Sequence, residues 1–180
     1  MNLLLLLTSI SWFSSTIPSP GNKDEIRWSQ RSDLTFSDFK GEVPPNTPWA
    51  ALTSSIIYFT YNTYNGKIST IKVYASFKKN ESWIKNNLND VLAHEQLHFA
   101  ITEYFARKLY DDAQELKEHT GDISIAANAL FKSINKDCDR MQEQYDEATE
   151  HGMKLPVQEK WKTTVDKLLS EYDSYPAITD

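Results

Sequence analysis

The sequence predicts an α+β fold, an N-terminal antiparallel β-hairpin or small sheet followed by three helices, and three observations carry that expectation. Residues 69–78 alternate apolar and polar, an Asn65-Gly66 pair separates them from a second β-rich run, and beyond Trp83 the apolar period lengthens to three and four residues. Residues 27–39 read as short extended pieces with Trp28, Leu34, Phe36 and Phe39 as core candidates, and Pro44, Pro45 and Pro48 mark a loop. Residues 54–61 are rich in Ile, Tyr, Phe and Thr, and Asn-Gly is a strong signal for a tight hairpin turn. In the second strand Ile71, Val73, Ala75 and Phe77 share one face, while Lys72, Tyr74, Ser76 and Lys78 share the wet one.

The first predicted helix covers residues 90–118, with Leu97, Ile101, Phe105, Leu109, Ala113 and Leu116 as its apolar stripe. Gly121-Asp122 interrupts it. A second helix carries Leu130, Ile134, Cys138, Met141, Tyr145 and Ala148 and is expected to end at Gly152, a residue suited to the position just past a helix. Pro156 starts a third, over residues 157–172, with Trp161, Val165, Leu168 and Leu169 facing inward.

At 180 residues the chain fits one domain, read as residues 21–180 behind a leader. Residues 1–20 hold no charged side chain, and the apolar run from Leu3 to Phe13 is shorter than the roughly 20 residues that span a bilayer. This stretch resembles a secretory signal peptide, so the expected location is secreted or periplasmic, without stable membrane insertion. A net charge of −6 argues against a nucleic-acid partner, which would need a surplus of positive charge. The single Cys138 allows neither an internal disulfide nor a multi-cysteine metal site, so a metal would have to be held by histidines and carboxylates. Nothing in the pattern fixes an oligomeric state.

Residues 94–98 read His-Glu-Gln-Leu-His, an H-E-x-x-H pattern within the first long helix. Histidines four residues apart project from the same side of a helix, offset by about 40°. Two imidazoles can therefore reach one ion, while Glu95, about 100° around from His94, can reach a water beside it. In zinc peptidases the ion polarises the scissile carbonyl and lowers the pKa of a water to about 7, and a glutamate so placed acts as general base. His94 and His98 fall in the middle of the apolar face, where two unpartnered histidines would cost several kcal/mol, and a bound Zn2+ removes that cost.

A catalytic zinc commonly has three protein ligands and an open position. Glu103 projects on the opposite side of the helix from His94 and is expected to be solvated, and His119 lies in an exposed-looking turn. His151 is expected to continue the inward stripe of the second helix, one turn beyond Ala148, which makes it the third ligand; Asp146 and Glu150 are the fallbacks.

Trp28, residues 34–41, Ser82-Trp83, the His94 to Phe99 block with Glu103 and residues 106–109, and Tyr145-Asp146 with Thr149, His151 and Gly152 together resemble the bacterial family called domain of unknown function 922, described as predicted secreted zinc-dependent proteases. The resemblance covers nearly everything after the leader. It implies that His94, His98 and His151 hold zinc and that Glu95 is the base. The expected activity is an exported zinc metallopeptidase of zincin-like architecture acting on a peptide or protein. The competing readings are a metal-stabilised scaffold without activity and a zinc amidase acting on cell-wall material.

Overall fold

In a computed structural model, residues 23–172 and 175–176 are described, so the expected leader lies outside the described residues. Asn65 and Gly66 both take positive φ, 50° and 75°, the backbone that a two-residue turn between twisted strands demands. They join β3 (Ser55–Tyr64) to β4 (Lys67–Lys78) in the predicted hairpin, with a bulge at Asn62/Thr63. β1 (Glu25–Arg27) pairs with the far side of β4, giving the antiparallel order β1-β4-β3 and leaving β3 at an edge. A second, two-stranded sheet joins β2 (Ala51–Leu52) to β5 (Trp83–Ile84). Val73, Ala75 and Phe77 are buried on the predicted dry face. On the opposite face Ser76 is also buried, and its hydroxyl donates to Glu25 Oε2.

Three helices follow: α1 (Asn89–Gln114), extended by a 3-10 turn at Glu115–Glu118, then α2 (Ile123–Thr149) and α3 (Leu155–Ser170). Asp122 caps α2 by accepting from the Ser124 and Ile125 amides, which explains the break after Gly121. The α+β class is as expected. No helix among the described residues is long and apolar enough to cross a membrane.

α1 departs from the simple amphipathic reading. Phe99, Ala100, Ile101, Thr102 and Glu103 are consecutive and all buried, so the middle of α1 is covered on every side. Phe99 meets Phe77 of the sheet and Trp28, while Tyr145 of α2 packs on Trp161 of α3 beneath the two histidines. This enclosure corrects the expectation that Glu103 is solvated. Its side chain is buried and takes a hydrogen bond from Arg107 Nε at 2.9 Å, while Arg107 also donates to the Leu169 carbonyl in the last turn of α3.

Candidate metal centre

His94 and His98 lie one turn apart on α1, with Nε2 atoms 3.1 Å apart. Asp146 Oδ1, on α2, stands 3.0 Å from each of them. Three donor atoms thus converge on one point, and His94, His98 and Asp146 form the group of residues able to share a metal ion. Ligand atoms on a tetrahedral zinc at about 2.0–2.1 Å lie about 3.3 Å apart, close to the spacing of this triangle.

Each histidine is fixed from behind. Gln158 Oε1 of α3 lies 3.3 Å from His94 Nδ1, and Gln142 Oε1 of α2 lies 2.5 Å from His98 Nδ1. An amide oxygen can only accept, so both Nδ1 atoms carry the proton and both Nε2 lone pairs face Asp146. Gln142 is itself held, since its amide nitrogen donates to the His98 carbonyl and to Thr102 Oγ1. The Tyr145 ring stacks on His94 at 4.6 Å and meets His98 edge-on at 5.0 Å. Outer partners of this kind orient metal ligands and tune their basicity.

The electrostatics favour positive charge at this point. Burial works against an ionised Asp146, yet His94 and His98, which donate to it from Nε2 once they carry a second proton, outweigh it and hold the carboxyl below the usual range. Burial likewise opposes a charged His98, but the bond to Asp146 prevails and raises its basicity above the ordinary 6.5. Two imidazole lone pairs and a carboxylate oxygen in mutual contact are satisfied by positive charge between them, which either a proton on an imidazole or a metal ion can supply.

Glu95, buried beside the triangle, has an Oε2 atom with no hydrogen-bond partner among the described residues. Native folds pair nearly all buried polar atoms, so this carboxylate oxygen is a polar group for which the described residues supply no partner. Glu95, His94, His98 and Asp146 all open into one cleft of about 720 Å³, bounded by residues 49–57 on one wall and α2 on the other.

His151 is not on the helical stripe that the sequence indicated. α2 stops at Thr149, and Glu150, His151 and Gly152 then take φ of 50°, 55° and 83° in succession. This left-handed turn carries the His151 side chain to the cleft mouth, where it is half exposed, lies 4.5 Å from the Trp49 ring and brings Nδ1 within 3.7 Å of Asp146 Oδ1. It borders the donor triangle without entering it. The same turn lays Gly152 on His94, where a Cβ would come within 3.1–3.2 Å of the ring and its Cβ. His119 is exposed, as its sequence context indicated, while Glu150, a fallback ligand in the sequence reading, is exposed at the end of α2 and paired with Lys154 at 2.7 Å.

Asp146 entered the sequence reading only as a fallback, although it falls in register with Gln142 and Cys138 on the α2 face that meets α1. Gln158 carried no sequence signal at all, because its role depends on where α3 docks. No curated protein and no solved structure gives a significant match to the chain. Residues 67–152, from the start of β4 through Gly152, match the model of the family described as "Bacterial protein of unknown function (DUF922)".

Proposed function

We propose that the chain is an exported zinc-dependent peptidase of the H-E-x-x-H type, with His94, His98 and Asp146 as the metal-holding set and Glu95 as general base. The observation that carries this reading is the buried Glu95 Oε2 left without a partner beside three converged donor atoms. A purely structural metal site needs no such base and is usually closed by a fourth protein ligand. The donor chemistry fits: two neutral imidazoles and one carboxylate suit zinc. When bound there, zinc supplies Lewis acidity toward a carbonyl oxygen and a water. The Glu95 carboxylate takes the water's proton and returns it to the departing amine nitrogen. Gln142 and Gln158 keep the imidazoles in the tautomer that offers Nε2, and His151 stands at the mouth where a substrate carbonyl would pass.

The cleft suits an extended chain. Lys78 N donates to the Ser54 carbonyl, so in an antiparallel ladder Ser55, Ile57 and Phe59 turn their backbone groups to the open edge of β3. A peptide laid along residues 54–57 would continue the sheet and pass Glu95. Export rests on the composition of residues 1–20. The test is cleavage of a denatured protein mixture read by mass spectrometry, wild type against Glu95→Gln. We expect chelator-sensitive cleavage that falls by about 10⁴-fold in the variant, the upper end for a general base. Equal inertness of both forms on proteins and on cell-wall peptides would overturn the reading.

A further inference from the structure

The charges lining the cleft are all of one sign. Asp90, Glu95, Asp139 and Asp146 border it, and no Lys or Arg does among the described residues, in a chain with 19 such cations. Of these four acids, Glu95 and Asp146 belong to the proposed metal centre, and a divalent ion there would balance both. Asp90 sits in the first turn of α1, where the helix's own amide groups favour negative charge. Asp139 has no such compensation. It lies in the interior of α2 and makes no ion pair or hydrogen bond among the described residues, and the Arg140 beside it is turned to Asp137. Glu143, one turn on, adds a second negative charge, and together with partial burial it raises the Asp139 carboxyl above its ordinary range.

We infer that the cleft selects an extended peptide carrying a lysine or arginine side chain, seated against Asp139 at the end of the cleft near Thr102. This rests on the peptidase reading for the substrate's class, while the choice of charge follows from the cleft walls. The space fits the idea. From Asp90 to Thr102 the lining face of α1 runs about 18 Å at 1.5 Å per residue, room for about five extended residues. Glu95 Oε2, buried and unpartnered in the same cleft, marks it independently as a ligand site. At the opposite end Trp49, Leu52 and Met153 are exposed and apolar, a surface for an uncharged side chain. A peptide with a cation at one end and an apolar residue at the other matches both.

The experiment uses the zinc-supplemented full chain with Glu95→Gln, so that binding is read without turnover. Three fluorescein-labelled heptapeptides, identical except for Lys, norleucine or Glu at one position, are titrated by fluorescence polarisation. Moving the varied position along the peptide finds the subsite. We expect the Lys peptide to bind about three- to tenfold tighter than the norleucine peptide, with the Glu peptide weakest, the range for a partly exposed ion pair. Adding Asp139→Asn should erase the Lys preference, and Asp139→Lys should reverse it toward Glu. Glu118→Gln, an exposed acid off the cleft, should change nothing. A preference that survives Asp139→Asn, equal affinity for Lys and Glu at every position, or no peptide binding at all overturns the inference. Cleavage by the wild type in the protein mixture would leave the peptidase reading standing in each of those cases.

Discussion

Glu95 and Glu103 lie eight residues apart on one helix and are equally buried, yet the fold treats them in opposite ways. Glu103 is answered by Arg107 at 2.9 Å, and Arg107 in turn is anchored on the Leu169 carbonyl and lies over the Tyr175 ring. Glu95 lines the cleft and keeps one buried oxygen without a hydrogen-bond partner among the described residues. The carboxylate that serves architecture is paired, whereas the one proposed as general base is left without a partner. The pair therefore separates function from stability within a single element.

The largest expected effect falls on the unpaired member. Glu95→Gln should remove cleavage by about 10⁴-fold while leaving fold and zinc content intact, because the amide keeps the shape and loses the ability to accept a proton. Glu103→Gln should keep activity within a few-fold. Comparable losses of activity in the two variants would erase the distinction.

The paired member should respond in stability. Arg107→Ala leaves Glu103 buried without its partner and should cost about 3 kcal/mol in urea denaturation at pH 8, the scale for breaking a buried pair. An unchanged midpoint would show that the pair is not holding α1 against α3.

An effect of similar size, spread over a range of pH, should appear on titration. Burial pushes Glu103 up from 4.5 to about 7, only partly offset by Arg107. The folded chain then holds this proton more tightly than the unfolded one, so this contribution is full below about 4.5 and is lost as pH rises through about 7. The loss amounts to roughly 3 kcal/mol. Comparing wild type with Glu103→Gln isolates it: the difference between the two stability profiles should slope over that window, and a flat difference would contradict the assignment.

How much of this was legible in the sequence differs between the two glutamates. Glu95 was marked by its neighbours, since His94 and His98 at a four-residue spacing mean little except a shared ion. The hairpin was equally legible, because Asn65-Gly66 accepts positive φ where few other pairs do. Glu103 was misjudged because a single stripe was followed along α1, although Phe99, Ala100 and Ile101 in succession already mark a helix covered all round. The third donor was harder. Carrying the α2 period past Thr149 put His151 on the inward face, but the Thr149 hydroxyl accepts from the Gly152 amide and the chain turns left-handed there. Asp146, still inside the helix, takes the position instead. Gln158 depends on the docking of α3, a tertiary fact that local pattern does not contain.

The central claim is that His94, His98 and Asp146 together hold one zinc ion, and calorimetric titration of chelator-treated protein with zinc tests it most directly. The account predicts one site per chain in wild type and in Glu95→Gln. In His98→Ala and Asp146→Ala the loss of affinity should exceed the roughly 10- to 100-fold that removal of an outer partner costs, and His151→Ala should lose less. Absence of binding in wild type, or an Asp146→Ala protein that binds zinc as tightly as wild type, would contradict it.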